Sequence, residues 1–227
     1  MDAFLRSLRK RQLNGFRINR DRTLDRALNR LGRTRLGDGA PYLALTDAVY
    51  GWGNEGWSAD EDYLRRLMSE ATAANGTIVE CGSGLSTLLI AGIARQTGVP
   101  FHSLEHNAEW RKRVTDALAA HGLTAYSTVH YAPLRSYGQF DWYSIPDSLP
   151  ANVSLIICDG PPSDTAGGRH GVVPALRSRM AHTCTILMDD AKRAAEVEIM
   201  EQWEREFSTV SERFDTEKGF ARVTVTT

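Results

Sequence analysis

The segment 77-TIVECGSGLSTLLI-90 decides the fold of this chain. A short apolar run reaches Glu80, a turn with Gly82 and Gly84 follows, and apolar residues then resume. This order predicts a strand, a tight turn and the beginning of a helix. The beginning of a helix offers unpaired backbone N–H groups to a ligand, and glycines let the ligand approach the backbone closely. The turn therefore predicts a ligand-binding site.

The chain after this segment alternates between two patterns. Apolar runs predict strands at 77–81, 101–105, 125–131, 153–158 and 184–189, and helical spacing predicts helices at 86–97, 108–121, 171–181 and 191–207. Strands that alternate with helices predict an α/β fold with a doubly wound, mostly parallel sheet covered on both faces. The final runs, 208–216 and 219–227, each alternate polar and apolar residues and predict an antiparallel C-terminal hairpin.

The first 35 residues are strongly basic. They contain eleven Lys or Arg and three Asp, a charge of +8, which leaves −9 for the rest of a chain whose net charge is −1. Basic and apolar residues at helical spacing predict a basic amphipathic helix: Arg22, Arg26, Arg30 and Arg33 beside Leu24, Ala27, Leu28 and Leu31. Such a helix could meet a phosphate, an acidic membrane surface, or the acidic body of the same protein or of a partner subunit. We favour contact with the acidic body, because the rest of the chain carries the complementary charge. Contact with the body of a second copy would make a homo-oligomer through this arm.

A second helix is predicted before the sheet begins. Ser58 and Glu61 fit a capping box, so we expect a helix from Ser58 to about Ala74. The chain is accordingly divided into an N-terminal basic helical arm and lid, residues 1–74, and a ligand-binding domain, residues 75–227.

The composition is that of an ordinary soluble globular protein, with 42% hydrophobic and 24% charged residues. No apolar run approaches the roughly 20 residues that span a bilayer, and the first residues contain no continuous apolar signal segment. The three cysteines, Cys81, Cys158 and Cys184, lie within or at the end of apolar runs, which predicts buried, reduced thiols. We therefore expect a cytoplasmic protein without a membrane span.

Two features of the glycine turn distinguish between its possible ligands. A dinucleotide fingerprint requires a third glycine at the sixth position of G-x-G-x-x-G, where this chain has Thr87. Acidic residues are present instead, with Glu80 before the turn and Glu105 at the end of the next predicted strand, in 101-FHSLEHN-107. A carboxylate at that place can accept hydrogen bonds from both hydroxyls of a ribose. S-adenosylmethionine is therefore favoured over a dinucleotide.

These motifs resemble those of the class I S-adenosylmethionine-dependent methyltransferases, and the resemblance extends from Gly76 to the C-terminus. VECGSGLST looks like the first motif of that family, and 155-LIICDGPP-162 looks like its fourth-strand motif. The resemblance implies a Rossmann-like, seven-stranded sheet with an antiparallel end. It also implies a set of cofactor-binding residues: Glu80, Gly82, Ser83, Gly84, Ser86, Thr87, Glu105, His106, Ala132 and Asp159.

Three aspartates follow two neighbouring predicted strands. Asp159 ends one strand, and Asp189 and Asp190 end the next, so we expect their carboxylates to converge at one edge of the sheet. Three like charges repel, and a divalent cation with a preference for hard oxygen ligands, such as Mg²⁺, Mn²⁺ or Ca²⁺, would neutralise them. The pattern is similar to that of metal-dependent small-molecule O-methyltransferases, except that Asp190 stands where they have Asn. The alternative is that Asp190 caps the following helix.

Several residues near these aspartates are candidates for proton transfer or for substrate binding. His170, on the Gly-rich loop 163-SDTAGGRHG-171, is the first choice as general base, Lys192 is its competitor, and Asp159 is the third choice. Arg169 and Arg193 are expected either to bind an anionic group of the substrate or to be plain surface charges. The resemblance also implies a lid containing Trp52, Asn54 and Trp57, and a substrate wall containing Trp142 and Tyr143. The alternative for the four aromatic residues is a place in the core.

Three hypotheses about function remain at this stage. The first is an O-methyltransferase that acts on a small molecule, a sugar or a glycan. The second is an RNA or other nucleic-acid methyltransferase that uses the basic arm as a phosphate clamp, although an acidic body would repel a nucleic acid. The third is a non-catalytic cofactor-binding module, which the retained glycines and carboxylates disfavour. The acceptor and the oligomeric state cannot be predicted from the sequence.

Overall fold

The computed structural model describes residues 2–16, 18–34, 40–54 and 59–227. These residues form two sheets. Their strands are β1 (Thr77–Cys81), β2 (Phe101–Glu105), β3 (Thr128–Tyr131), β4 (Leu134–Ser136), β5 (Asp141–Tyr143), β6 (Val153–Cys158), β7 (Met180–Asp189), β8 (Thr209–Phe214) and β9 (Phe220–Thr226). Their helices are α1 (Asp2–Gly15), α2 (Arg20–Leu31), α3 (Tyr42–Trp52), α4 (Glu61–Ala73), α5 (Leu85–Thr97), α6 (Ala108–Ala120), α7 (Val172–Leu176) and α8 (Ala194–Glu206).

The main sheet has seven strands in the order β3-β2-β1-β6-β7-β9-β8. The first five in that order pair in parallel, whereas β9 is antiparallel to both β7 and β8. This arrangement confirms the predicted fold class, a doubly wound, mostly parallel sheet with an antiparallel C-terminal hairpin. From β1, the strands β2 and β3 extend the sheet on one side, and β6 and β7 extend it on the other. Ligands bind at such a switch point in doubly wound sheets.

Strand β1 lies in the middle of the sheet and is buried along its whole length. Its apolar side chains alternate between two cores, since Ile78 contributes to the core on one face and Val79 to the core on the other. Residues of α2 to α6 supply the first core, and residues of α7, α8 and β5 supply the second. A strand buried on both faces reads as the continuous apolar run seen in the sequence.

Several predicted boundaries were wrong. The third strand begins at Thr128 rather than 125, because Thr124–Tyr126 forms a 3₁₀ turn. The helix predicted at 171–181 is limited to α7 and a 3₁₀ turn, and β7 already begins at Met180. The last helix spans Ala194–Glu206 instead of 191–207. The short hairpin β4–β5 was not predicted, because its three-residue strands are too short to show a period.

The basic N-terminal helix α1 contacts acidic residues of its own chain. Arg9 binds Asp47 through two hydrogen bonds of 2.7 and 3.1 Å. In the same way, Arg6 contacts Asp62 and Lys10 contacts Glu61. Part of the predicted charge complementarity is therefore satisfied within one chain.

Helix α4 begins later than the sequence predicts. Its N-cap is Asp60, whose Oδ1 accepts a hydrogen bond of 2.7 Å from the backbone N–H of Tyr63. The predicted cap, Ser58, lies outside the described residues. Among the described helices, none has the length and apolar character that crossing a membrane requires. Residues Cys81, Cys158 and Cys184 are buried thiols, as predicted.

The contact between α2 and α3 leads to a prediction about stability. A Cβ atom added at Gly51 would lie 2.6 Å from the backbone nitrogen of Leu24 and 2.8 Å from its Cα. Because these are backbone atoms, α2 would have to move away, and we expect Gly51→Ala to lower the free energy of unfolding by about 1–3 kcal/mol. Denaturant unfolding measures this change.

Gly92 provides the matched control for this substitution. It lies inside α5, and a Cβ added there has nothing within 4 Å. Gly92→Ala is expected to raise the free energy of unfolding by about 0.5–1 kcal/mol through helix propensity. Equal unfolding free energies for Gly51→Ala and the unchanged protein would contradict the described packing of α2 on α3.

Candidate active site

A cleft of about 660 Å³ lies at the carboxyl ends of β1, β2, β6 and β7. Ligand pockets in proteins typically have volumes of about 300–1,000 Å³. Most of the residues predicted for the site line this cleft: Gly82, Ser83, Gly84, Ser86, Glu105, His106, Tyr143, Asp159, Arg169, Asp189, Asp190 and Arg193. Residues separated by more than 100 positions in the sequence are therefore brought together at one place.

The turn between β1 and α5 leaves its backbone open to the cleft. Gly82 has a φ of +89°, which favours glycine, and a Cβ there would lie 3.2 Å from the nitrogen of Gly160. Thr87 Oγ1 accepts a hydrogen bond of 2.9 Å from Gly84 N–H and donates one of 2.6 Å to Glu80. Glu80 and Thr87 are not among the described residues that line the cleft. They stabilise the turn from the side away from the cleft. Burial raises the pKa of Glu80 to about 7.

Glu105 lies at the end of β2 and has hydrogen bonds on both carboxylate oxygens. Oε2 accepts from the backbone N–H of Ser83 at 3.1 Å and from its hydroxyl at 2.7 Å, and Oε1 accepts from the N–H of Asn107 at 2.8 Å. Nδ1 of His106 lies 3.2 Å from Oε1. Burial alone would raise the pKa of Glu105, but contacts from His106, Asn107 and Ser83 lower it below its usual value. The lowered pKa favours the ionised carboxylate, which lines the cleft.

Ala132 takes a different place from the one predicted. It is fully buried, its N–H donates a hydrogen bond of 2.8 Å to the carbonyl of Glu105, and it is not among the described residues that line the cleft. Ala132 therefore supports the strand that carries Glu105 from behind the cleft wall.

A pair of tryptophans borders the cleft beside the glycine turn. Trp52, at the end of α3, meets Trp110 of α6 edge to face, with ring centroids 6.0 Å apart. Arg113 lies over both rings and donates a hydrogen bond of 2.7 Å to the carbonyl of Trp52. Trp110 Nε1 in turn donates to the carbonyl of Ser83 at 2.7 Å. The end of α3 is thus held next to the turn.

The residues of this border were only partly predicted. Trp52 and Asn54 line the cleft, and Trp52 is also a buried member of the hydrophobic core, the alternative to a lid. Trp57 lies outside the described residues. The position of Trp110 in the wall was missed. Trp110, Val114 and Leu118 recur at the spacing of one helix face, and this repeat does not show which residue of that face reaches the cleft.

The three predicted aspartates converge in the same cleft. One carboxylate oxygen from each of Asp159, Asp189 and Asp190 lies within 4.8 Å of the other two. Asp189 and Asp190 are buried, whereas the side chain of Asp159 is 30% exposed. Burial and the neighbouring Asp190 raise the pKa of Asp159 to about 6, although the nearby Arg169 opposes this rise. Burial also raises the pKa of Asp189 well above its usual value.

Arg169 is buried inside this cluster, with only 3% of its surface exposed. Nη2 lies 3.1 Å from Oδ2 of Asp190 and 3.4 Å from Oδ1 of Asp159. Nη2 also donates to the carbonyl of Asp159 at 3.0 Å, and Nη1 donates to the carbonyl of Asp189. The prediction of an anion-binding or surface arginine is therefore corrected, since the guanidinium binds the aspartates themselves.

Arg193 and Asp190 form the outer part of the same cluster. Nη2 of Arg193 lies 3.0 Å from Oδ2 of Asp190, and Nη1 lies 4.0 Å from Glu196. Arg193 is also the N-cap residue of α8, so Asp190 does not cap that helix as the alternative interpretation proposed. The carboxylate of Asp190 instead binds two arginines.

The first two candidates for the general base, His170 and Lys192, do not reach the cleft, whereas the third candidate, Asp159, lines it. The main-chain carbonyl of His170 accepts from Trp203 Nε1 at 3.0 Å, and its ring packs against Phe140, with centroids 5.2 Å apart. Lys192 donates to the carbonyl of Thr216 and pairs with Asp215 at 2.6 Å. Neither of these two side chains is among the described residues that line the cleft. The 3₁₀ turn at Gly168–Gly171 brings the neighbouring Arg169 into the cluster instead.

Tyr143 forms the wall between the glycine turn and Asp159. Its side chain is buried, and a Cβ added at Gly160 would lie 2.3 Å from its hydroxyl oxygen. That hydroxyl has no hydrogen-bond partner among the described residues. Lys218, from the turn between β8 and β9, also lines the cleft and was not predicted to do so.

Comparisons with known proteins agree with this geometry. Residues 79–191 match a family model described as a methyltransferase domain. A solved structure of a caffeoyl-CoA O-methyltransferase-like protein from Staphylococcus aureus has a TM-score of 0.59 at 12% identity, over 74% of this chain and 85% of that one. SAH-bound methyltransferase PaMTH1 of Podospora anserina has a TM-score of 0.60 at 14% identity, over 90% of this chain and 88% of that one. None of the curated proteins matches this sequence.

The fold and the cleft define a ligand site at the switch point of a doubly wound sheet. Together with the matched methyltransferase domain, they identify the chain as a class I S-adenosylmethionine-dependent methyltransferase. The identities of 12% and 14% to these solved structures show a shared fold, and they do not show a shared acceptor.

The fit of a divalent cation can be judged from the donor atoms of the cluster. The three carboxylates are hard oxygen ligands of the kind that Mg²⁺ and Mn²⁺ prefer. The guanidinium of Arg169, however, already binds Asp159 and Asp190. The cluster therefore does not fit the site implied by the resemblance, in which a metal ion is the cation between the carboxylates.

Proposed function

We propose that this methyltransferase transfers the methyl group of S-adenosylmethionine to a hydroxyl of a small molecule, a sugar or a glycan. The observation that carries the proposal is the position of Asp159. Its carboxylate is partly exposed in the same cleft as the glycine turn and Glu105, and its pKa is raised to about 6. A base with a pKa close to the working pH is suited to accept a proton from a hydroxyl.

In this mechanism, different residues of the cleft bind the cofactor, accept the proton and limit the access of water. Glu105 and the backbone of the glycine turn bind and orient the cofactor, which supplies an electrophilic methyl group when bound. With the cofactor bound, Asp159 would accept the proton of the acceptor hydroxyl, and the oxygen of that hydroxyl would bond to the methyl carbon. The bond between that carbon and the sulfur would break, and S-adenosylhomocysteine would be the leaving group. Trp52 and Tyr143 border the reacting groups and limit the access of water. Alignment for in-line displacement supplies much of the rate.

A metal-assisted form of the reaction is the second candidate. It is favoured by the oxygen atoms within 4.8 Å of one another and by the buried Oδ1 of Asp189, which has no hydrogen-bond partner among the described residues. That form would require Asp159, Asp189 and Asp190 to hold the ion while Arg169 already binds Asp159 and Asp190, so the metal-free form is preferred.

A screen of acceptors tests the proposal. Small phenols, sugars and RNA are each incubated with the protein and with S-adenosylmethionine that carries an isotope-labelled methyl group, in the presence and in the absence of a chelator. We expect label in the small-molecule pools and none in RNA. Label in RNA alone would favour the nucleic-acid hypothesis, and loss of all label in chelator would favour the metal-assisted form.

The exposed face of α1 supports a proposal about oligomerisation. Phe4 and Leu8 of α1 and Phe16, which follows the end of α1, are 72%, 55% and 77% exposed, although each is large and apolar. The opposite face of α1 binds the body through Arg6, Arg9 and Lys10. We propose that the exposed face contacts a second copy of the chain, because isolated proteins rarely expose large apolar clusters.

The expected result is a dimer that Phe4→Ser/Leu8→Ser converts to a monomer in sedimentation experiments. Val210→Ser is the control, since Val210 is 73% exposed and lies on β8. A monomeric unchanged protein would contradict the proposed contact.

A further inference from the structure

We propose that Arg169 is the built-in cation of the aspartate cluster, so that this methyltransferase needs no divalent metal and does not require an acceptor with neighbouring oxygen atoms. The part about the acceptor rests on the function proposed above. The part about the cation rests only on the contacts of Arg169.

The contacts of Arg169 place it between the groups that a metal ion would join. The same nitrogen, Nη2, contacts Oδ2 of Asp190 at 3.1 Å and Oδ1 of Asp159 at 3.4 Å. It also binds the main-chain carbonyl of Asp159 at 3.0 Å. Charged hydrogen bonds to the planar guanidinium hold both carboxylates in one orientation and compensate their negative charge. Arg169 therefore positions Asp159, although it is not itself the base.

The charges around Arg169 are nearly balanced without a metal ion. Four carboxylates, those of Asp159, Asp189, Asp190 and Glu196, lie in or beside the cluster. The cations in contact with them are Arg169 and Arg193, and the positive charge of Lys218 acts on Asp159. With all four carboxylates ionised the sum is one negative charge, so a divalent cation would reverse its sign. The repulsion among the aspartates, from which a metal ion was predicted, is thus already relieved by arginine.

Position in the fold explains why Arg169 cannot simply turn away. Its side chain is 4% exposed, and Nε lies 3.9 Å from the buried carboxylate of Glu196. Gly167 and Gly168, with φ of +74° and +52°, direct the preceding backbone, and Gly171 packs against the ring of Trp142. A divalent ion that entered the cluster would meet a guanidinium held in place on several sides, and like charges at such distances repel strongly.

The consequence concerns the class of acceptor. A divalent ion takes several oxygen ligands, so it would hold an acceptor best when two neighbouring oxygens of that acceptor coordinate it together. A cluster whose cation is a buried guanidinium offers no coordination site for such a pair. Acceptors with one isolated hydroxyl are therefore expected to be methylated as well as those with two neighbouring hydroxyls.

Binding of Mn²⁺ measured by electron paramagnetic resonance tests the cation directly and needs no acceptor. We expect no stoichiometric Mn²⁺ binding to the unchanged protein at millimolar concentration. Arg169→Gln removes the positive charge and is expected to bind Mn²⁺ at least about tenfold more tightly, since the freed carboxylates attract a cation. Arg177→Gln is the control, because Arg177 lies over Phe207 and outside the cluster.

One tightly bound Mn²⁺ in the unchanged protein, lost on Asp190→Asn, would overturn the proposal, and this comparison holds even if Arg169→Gln fails to fold. In activity assays, unchanged turnover in chelator with a monohydroxyl acceptor supports the proposal, and restoration of a chelated protein by Mn²⁺ contradicts it. If no hydroxyl acceptor is methylated under any condition, the proposed function fails, while the Mn²⁺ measurement still decides the role of Arg169.

Discussion

Asp159→Asn is expected to reduce turnover by about 10²- to 10⁴-fold, the usual contribution of a general base. The asparagine amide has nearly the same size as the carboxylate and still offers an oxygen to Arg169, but it cannot accept the proton of the acceptor. Because Glu105 and the glycine turn are the proposed holders of the cofactor, the affinity for S-adenosylmethionine is expected to change little. Steady-state turnover and calorimetric titration with the cofactor measure the two quantities separately.

The pH dependence of the unchanged protein gives an independent check of the same residue. Burial raises the pKa of Asp159 to about 6, and a base is active when it is deprotonated. Turnover should therefore fall as the pH drops through about 6 and should be level above it. Asp164→Asn, on the exposed loop that follows β6, is the matched control and should keep full turnover. Full activity of Asp159→Asn would remove Asp159 as the base.

Glu105→Ala is expected to weaken the binding of S-adenosylmethionine by about 1–3 kcal/mol, because charged hydrogen bonds to the ribose are lost. Part of the effect would come from the glycine turn, since Ser83 loses the acceptor of its N–H and hydroxyl groups. Calorimetry at fixed pH measures the change in dissociation constant. Binding of NAD is expected to be weak for the unchanged protein and for the variant.

Glu61→Gln is the matched control for this substitution. Glu61 is also a buried carboxylate, 3% exposed, but it binds Thr46 and Lys10, which do not line the cleft. Its replacement should leave the affinity for S-adenosylmethionine unchanged. An equal loss of affinity in both variants would show that Glu105 acts through general stability, and an unchanged affinity in Glu105→Ala would place the cofactor elsewhere.

The parts of the site that sequence reasoning predicted correctly are those that lie at strand ends. Parallel strands carry their C-terminal residues to one edge of the sheet, so Gly82, Glu105 and Asp159 could be placed together from the strand pattern alone. The doubly wound, mostly parallel sheet was predicted from the pattern as well, because alternating strands and helices leave few alternatives for the connections. The number of seven strands was implied by the resemblance to the methyltransferase family.

The parts that were predicted incorrectly depend on tertiary contacts of loops. The loop before α7 was correctly expected near Asp159, but the side chain that enters the cluster is Arg169 and not His170. Which of two neighbours points inward depends on the left-handed backbone at Gly167 and Gly168 and on the packing of Gly171 against Trp142. The hydrophobic periodicity of the sequence contains no information about this backbone conformation or about this packing. The need of the aspartates for a cation was recognised from the sequence, but a metal ion was the only cation considered.

Transfer of the methyl group to an oxygen atom of a small acceptor, with Asp159 as the base, can be tested in one experiment. Nuclear magnetic resonance identifies the atom that carries the isotope-labelled methyl group after reaction with the best acceptor of the screen. We expect the unchanged protein to form a methyl ether in the presence of chelator, and Asp159→Asn to lower the yield by about 10²- to 10⁴-fold. A methyl group on nitrogen or carbon, or an undiminished yield of ether from the variant, would contradict this mechanism.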